Sequence, residues 1–390
     1  MDEGRPYVCS TVALTLMRSE RLQNALFVAA AIAALAWLSH NLASNLAARG
    51  ISIDYGFLWS ATSFPIGESL ISFASGDTYF RALLVGLLNT VKLAFAAIVL
   101  STLVGLLIGL AGRARHPQLL ALAKAYIEVT RNTPLLLILV VCATAVRVLP
   151  SPRQAWTFGD SVFFSSRGLY VPTVLVGDAG PVLAAVALLS LACGYIFWHV
   201  MLRGRNDAGH FPRPATSGLF LSAAALIGVV IYALGWGEIQ KPTLMGFNFR
   251  GGMGMTPEYL AMLVGLSFYT SGFIAEIVRG SLAALPSGQS EAAQSLGLSP
   301  LQTLYLVLAP QALRLMLPPL ANQYLNAIKN TTLAVLIGYP DLVSVGNTAL
   351  NQTGRAIETV SIYLLIYLTL SLVTSAAVRR LEERAQLVKS

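Results

Sequence analysis

Long apolar segments separated by short polar ones dominate this chain. Windows of roughly 20 apolar residues, the length of a helix that crosses a bilayer, recur along it. They predict about eight membrane spans, near residues 23–41, 82–111, 126–149, 181–202, 216–236, 258–278, 304–337 and 360–378. The seventh is long enough to be a broken helix. The pattern therefore predicts an all-α integral membrane protein.

Composition agrees with this class. Apolar residues make up 55% of the 390 residues and charged residues 11%, which is typical of proteins embedded in lipid. Basic residues flanking the spans explain the net charge of +8 better than nucleic-acid binding does. Three scattered cysteines indicate neither a disulfide framework nor a metal site. The first apolar run is too long for a cleaved signal peptide and is expected to be a retained anchor.

Basic residues near the spans predict the orientation. If eight spans alternate, one group of arginines falls on a single side: Arg18, Arg21, Arg113, Arg115, Arg203, Arg205, Arg213, Arg379, Arg380 and Arg384. Positive residues accumulate on the cytoplasmic side, so both termini are expected there. The opposite loops also carry basic residues, including Arg153 and Lys241, which weakens the asymmetry.

A polar segment, Glu291–Pro310, interrupts the apolar sequence near its C-terminal third. Glu291 and the two alanines after it favour a helix, and Gly297 allows the positive φ that ends one. Ser299 followed by Pro300 is typical of the start of a second helix. The segment therefore predicts a helix-glycine-helix elbow. It is either an ordinary amphipathic loop at the membrane surface or a projection that fits a groove on a partner.

The same segment resembles the EAA loop of ABC importer membrane subunits: E-A-A, three residues, Gly, nine residues, then an aliphatic residue two before Leu-Pro. Ala309 replaces the leucine of that pattern. The resemblance implies a type I ABC importer permease core and a coupling loop at 280–303 that docks on an ATP-hydrolysing subunit. Its coupling residues would be Glu291, Ala292, Ala293, Gly297 and Leu298.

Other segments resemble the polar amino acid permeases of this family. They are Gly86–Ala94, Glu128–Leu137, Phe268–Gly280 and Lys329–Leu333. In the second, Ile138 stands where the family has glutamine, which puts some inherited contacts in doubt. Runs within the loops 42–80 and 150–180 resemble the larger permease of general L-amino acid importers. Spans near 181–236 look like an inserted hairpin of that subgroup.

Polar residues inside the predicted spans are candidates for a solute pathway, because they are costly in lipid. The candidates are Thr133, Tyr269, Thr270, Ser271, Glu276, Gln323, Asn330 and Asp341. Glu276 could bind a substrate ammonium, or it could form an i,i+3 ion pair with Arg279. Arg131 could serve the pathway or extend to lipid phosphate. Pro318 and Pro319 predict a kink in the seventh span, whose amides suit either a pathway or interhelical hydrogen bonds.

Missing motifs narrow the function. The sequence has no G-x-x-x-x-G-K-S/T phosphate loop and no H-E-x-x-H or G-x-S-x-G motif, so neither ATP hydrolysis nor protease chemistry is expected. The resemblance implies an amino acid importer working by alternating access in the bacterial inner membrane. An ion-coupled secondary transporter is the alternative and would show inverted repeats. A structural scaffold is a third interpretation.

The resemblance also implies partners. They are a dimer of ATP-binding subunits carrying ATP and Mg²⁺, a second homologous permease and a periplasmic amino acid-binding protein. This chain itself would bind no cofactor. Its expected divisions are a cytoplasmic segment 1–22, an anchor and loop 23–80, and a transmembrane domain 81–385 with an insert at about 150–257. The residues do not indicate which amino acids are carried, or whether one chain holds a complete substrate site.

Overall fold

The computed structural model describes residues 7–48, 50, 52–114, 116–175 and 238–386, with isolated positions 223, 226, 229 and 230. Most of this part is helical. The long elements are α1 (Tyr7–Ala48), α2 (Tyr79–Ala111), α3 (Pro117–Asn132), α4 (Leu135–Arg147), α5 (Pro257–Ala283), α6 (Ser287–Ser295), α7 (Ala309–Asn330), α8 (Leu342–Thr353) and α9 (Ala356–Gln386). Between α4 and α5 lie the strands β1 (Trp156–Phe158), β2 (Val162–Ser165), β3 (Gly168–Val171), β4 (Thr173–Leu175), β5 (Glu238–Gln240), β6 (Thr243–Met245), β7 (Asn248–Arg250) and β8 (Met253–Met255).

Five helical segments of the described residues are long and apolar enough to cross a membrane. They are Gln23–Ala48, Tyr79–Ala111, Pro257–Ala283, Pro300–Leu336 and Ala356–Arg380. A sixth arises if α3 and α4, which meet at 105°, count as one broken span. The predicted spans 181–202 and 216–236 lie outside the described residues, so the predicted total of eight is not confirmed. The first helix also extends beyond the predicted 23–41 at both ends, running from Tyr7 to Ala48.

The centre of the bundle is the pair α2 and α5, which pack along each other. Two glycines of α2 make this possible. A β-carbon at Gly105 would lie 2.6 Å from Ile274 Cγ2, and one at Gly109 would lie 2.6 Å from Val278 Cβ. The two glycines therefore let the helices approach closely, as small residues do between helices in membranes.

The seventh predicted span contains irregular turns on both sides of its prolines. Pro318 and Pro319 lie within α7, whose assignment is continuous from Ala309 to Asn330. The irregular turns come before and after it: a π-helical turn at Thr303–Leu308 and a 3₁₀ turn at Thr331–Leu336. The prediction of a kink at the prolines therefore corresponds to no break in the helix there.

The insert adds short β-strands to the predicted loop at 150–180. Strands β1, β2, β3 and β8 form a four-stranded antiparallel sheet, while β4 pairs with β5 and β6 with β7. Each strand has three or four residues. Such strands are too short to stand out in hydropathy windows that detect membrane spans, so the sequence pattern did not predict them.

Candidate functional site

The segment 287–308, here called the elbow, joins two helices through a glycine turn. Helix α6 ends at Ser295 with Leu296 as its C-cap, and Gly297 has φ +77°. The Gly297 N–H donates to Gln294 O at 2.9 Å, and the Leu298 N–H donates to Ala293 O at 3.1 Å. These two bonds form a Schellman motif, which satisfies carbonyls at the end of the helix. The predicted helix end at Gly297 is confirmed.

The second arm of the elbow begins with a reciprocal cap. The Gln302 N–H donates to Ser299 Oγ at 3.4 Å, and the Ser299 N–H donates to Gln302 Oε1 at 2.9 Å. Pro300 occupies the first helical position, where its missing N–H costs nothing. The start of the second helix lies where the sequence predicts it. Because both arms have their terminal backbone groups bonded, the turn between them is rigid.

The elbow exposes an apolar surface. Leu296, Leu301 and Tyr305 are 81%, 78% and 75% exposed. Ala293 of α6 is buried, and Gln311 Nε2 donates to Gln289 Oε1 at 3.0 Å, which ties α6 to α7. The other predicted coupling residues differ in exposure: Glu291, Ala292 and Gly297 are exposed and Leu298 is half-buried. The elbow thus carries large apolar side chains on a fixed support.

A sharp bend separates α3 from α4 at Thr133 and Pro134. Thr133 is half-buried, and its Oγ1 donates to Val129 O at 2.7 Å. Its backbone dihedral angles are in the extended region, which a residue before proline favours. Ile138 is buried within the helical core, so the position where the family has glutamine faces the interior of this chain. The predicted span 126–149 is therefore broken at Pro134, and Thr133 bonds locally.

The predicted path residues of α5 occupy different environments. Tyr269 is half-buried and packs its ring 4.9 Å from that of Phe273. Thr270 and Ser271 are buried within the chain. The Ser271 hydroxyl lies 2.7 Å from Tyr126 OH and donates to Phe268 O at 2.8 Å. In this conformation Ser271 joins α5 to α3 and does not line a surface open to solutes.

Glu276 is the centre of a three-charge group. Arg279 Nε and Nη2 donate to Glu276 Oε2 and Oε1 at 2.8 and 2.7 Å, a bidentate pair. Arg131 Nη1 of α3 lies 3.6 Å from Glu276 Oε1. The i,i+3 pair that the sequence offered as an alternative is therefore formed, and Arg131 joins it. All three side chains are partly exposed, so the group carries a net positive charge accessible to solvent.

The remaining predicted path residues lie on α7 and at the N-terminus of α8. Gln323 and Asn330 are both half-buried. Asp341 is buried and caps α8, because its Oδ1 accepts the Ser344 N–H at 2.8 Å. Burial raises the pKa of the Asp341 carboxyl to about 7. The structure brings Glu276 and Arg131 together, whereas Asp341 belongs to a separate structural cap.

Sequence reasoning missed a polar network around Lys92 of α2. Lys92 Nζ pairs with Glu68 Oε1 and lies 4.3 Å from the centre of the Tyr259 ring. Thr256, the N-cap of α5, donates to the other carboxylate oxygen of Glu68. Asn89 Nδ2 donates to Glu68 O at 2.8 Å. A lysine within an apolar span was the available signal, since such a charge requires a partner.

Comparison with known proteins gives a family match over most of the chain. The family model described as "Binding-protein-dependent transport system inner membrane component" matches residues 101–387. The putative amino-acid ABC transporter permease protein YhdX of Escherichia coli (strain K12) is 44% identical over 368 residues, which are 91% of this chain and 92% of the relative.

Two further relatives are similar over comparable lengths. The general L-amino acid transport system permease protein AapQ of Rhizobium johnstonii is 41% identical over 344 residues, 87% of this chain and 85% of the relative. The glutamate/glutamine/aspartate/asparagine transport system permease protein BztB of Rhodobacter capsulatus is 36% identical over 380 residues, covering 88% of each.

Proposed function

We propose that this chain, which belongs to the family of binding-protein-dependent transport system inner membrane components, couples amino acid import to ATP hydrolysis through its elbow. It is a permease subunit of an ABC amino acid importer and is not itself an enzyme, since ATPase activity lies on a separate subunit. Its apolar helices cross the inner membrane several times.

One observation carries the coupling proposal: the elbow is rigid and exposes large apolar side chains. An isolated apolar side chain at a surface is ordinary, but Leu296, Leu301 and Tyr305 are all exposed within one capped turn. A short, rigid projection with apolar side chains suits the groove of a protein partner. That partner is the ATPase subunit, and closure of its dimer on ATP and Mg²⁺ would displace the elbow.

The α3–α4 bend connects this movement to the pathway. Arg131 and Glu276 link α3 to α5, and α5 leads directly into the elbow. Displacement of the elbow therefore acts on the helix that carries the three-charge group. We place Glu276 and Tyr269 at the pathway in the assembled importer. A second homologous permease completes the pathway, a periplasmic amino acid-binding protein delivers substrate, and both termini lie in the cytoplasm.

The elbow is tested with Leu296→Asp in vesicles that contain this chain, its partner permease, ATPase and binding protein. Leu296 is so exposed that the substitution leaves the packing of this chain unchanged. Loss of one anchoring apolar contact weakens ATPase binding roughly 30-fold, equivalent to about 2 kcal/mol. Leu296→Met keeps an apolar side chain of similar size and is the matched control.

Three measurements decide the outcome: retention of the ATPase during purification, substrate-stimulated ATP hydrolysis and amino acid uptake. We expect Leu296→Asp to lose all three while still co-purifying with the partner permease, and Leu296→Met to keep them. Normal hydrolysis and uptake in Leu296→Asp would show that the elbow is not the coupling surface. Uptake that needs no ATPase and follows a proton or sodium gradient would instead indicate a secondary transporter.

A further inference from the structure

The four-stranded sheet of the insert has one face that is apolar throughout. Residues paired directly across antiparallel strands lie on the same face, and alternate residues of a strand share a face. Register places eight apolar residues together on this face, here called the apolar sheet face: Trp156, Phe158, Val162, Phe164, Leu169, Val171, Met253 and Met255.

The opposite face is already covered. Phe163 and Tyr170 point to that side, and their ring centres lie 4.7 and 4.9 Å from that of Phe249. Phe249 belongs to β7 and is buried. The β6–β7 hairpin therefore packs on this second face, whereas the apolar sheet face keeps Trp156, Phe158 and Met253 exposed.

The apolar sheet face is directed toward the end of the helical bundle. At one edge of the sheet, Met255 packs against the core cluster that α4 and α5 form through residues such as Leu139 and Tyr259. At the other edge, Trp156 and Phe158 are 53% and 65% exposed. The apolar sheet face thus contacts the bundle at one edge of the sheet and is exposed at the other.

The chain enters apolar segments on several sides of this sheet. Helix α5, a membrane-span candidate, begins at Pro257, directly after β8. The sequence also predicts a span at 181–202, soon after β4 ends at Leu175, and one at 216–236, just before β5 begins at Glu238. Each residue of extended chain spans at most about 3.3–3.6 Å, so the few residues between these strands and the apolar segments keep them close together. The sheet is therefore held close to the membrane boundary at the end of α5 opposite the elbow.

We propose that the apolar sheet face rests on the leaflet of the bilayer at this end of α5, with Trp156 and Phe158 immersed among the lipid headgroups. Tryptophan and other aromatic side chains favour this interface, where an apolar ring and a polar edge are both satisfied. Because α5 begins directly after β8 and holds the sheet close to the membrane boundary, lipid is the neighbour that continues the contact begun by Met255. The insert is therefore anchored to the membrane surface as well as to the helices.

Spin labels test this placement in the assembled importer in lipid nanodiscs. Single cysteines replace Trp156, Thr157 or Phe158 in a background lacking Cys9, Cys142 and Cys193 and shown to retain uptake. Thr157 is the matched control, because it lies on the same strand but on the other face, at a position that is itself exposed. We expect labels at 156 and 158 to collide more with oxygen than with an aqueous nickel chelate, and the label at 157 to show the reverse.

Two other outcomes would overturn the proposal. Equal access of nickel to all three labels would show that the apolar sheet face lies in water. Protection of 156 and 158 from both reagents would show that protein covers it. If the labelled chains do not assemble, Trp156→Phe provides a second test: brominated lipids must quench the wild-type tryptophan fluorescence more strongly than that of the variant. Equal quenching would contradict the lipid contact.

Discussion

A single methyl group added at Gly272 should separate α3 from α5. A β-carbon at Gly272 would lie 1.8 Å from Thr130 Oγ1 and 2.5 Å from Thr130 Cβ. Thr130 is buried, and its hydroxyl donates to Tyr126 O at 2.9 Å and Ile127 O at 3.0 Å, which fixes its rotamer. Neither the new methyl group nor the Thr130 side chain can move aside, so Gly272→Ala must displace the helices themselves.

Gly280 of the same helix provides a control, because a β-carbon there would meet no atom within 4 Å. Replacing glycine by alanine within a helix stabilises it by about 0.5–1 kcal/mol when space is free. Overpacking costs about 1–3 kcal/mol. Gly280→Ala should therefore be neutral or stabilising, and Gly272→Ala should be less stable than Gly280→Ala by about 2–4 kcal/mol.

Thermal unfolding of the purified importer, monitored by size-exclusion chromatography, measures this difference in stability between the two variants. Gly272→Ala should unfold several degrees below Gly280→Ala and should lose uptake, because α3 carries Arg131 toward Glu276. Thr130→Ala removes the closest atom, so the double variant should recover part of the loss. Equal stability of the two alanine variants would refute the account of α3–α5 packing.

Three further predictions concern separate features. Gly297→Val should cost about 1–2 kcal/mol and reduce substrate-stimulated ATP hydrolysis, whereas Gly297→Asn, which tolerates a positive φ, should retain more of it; equal effects in the hydrolysis assay would contradict the role of the turn. The folded chain holds the Asp341 proton up to about pH 7, whereas an unfolded chain releases it at about pH 4, so the free energy of unfolding should fall as pH rises from about 4 to about 7. Asp341→Asn still caps α8 but has no proton to lose, so melting temperatures measured across this pH range should no longer show that fall. Glu276→Gln should reduce uptake or shift substrate preference while lowering the melting temperature only slightly, because the pair with Arg279 is partly exposed; unchanged transport would remove Glu276 from the pathway.

Local signals made the elbow predictable from the sequence. Gly297, Ser299 and Pro300 determine a turn within a few residues, and each acts on its own backbone. The break at Pro134 is local for the same reason. The angle of the bend, 105°, is not determined locally, because it depends on the packing of α3 and α4 against α5.

The path residues were harder to place because α5 is apolar on nearly every side. An amphipathic helix reveals its buried face by periodicity, whereas a helix that packs against several others does not. Ser271 meets Tyr126, and Glu276 meets Arg131, across long sequence separations. Nothing in the neighbouring sequence identifies those partners. The chemistry of each residue was therefore predictable, but its contacts depended on the tertiary fold.

The ion pair between Glu68 and Lys92 sets an order for biogenesis. A lysine within an inserting helix costs at most about 2.5–3.5 kcal/mol, the value for the helix centre, which the otherwise apolar α2 must offset. Glu68 precedes Lys92 in the chain and is already synthesised when α2 enters the bilayer. Thr256 and Tyr259 follow only after the whole insert has been made. The loop before α2 thus supplies the counter-ion during insertion, and α5 later encloses a charge that is already neutralised.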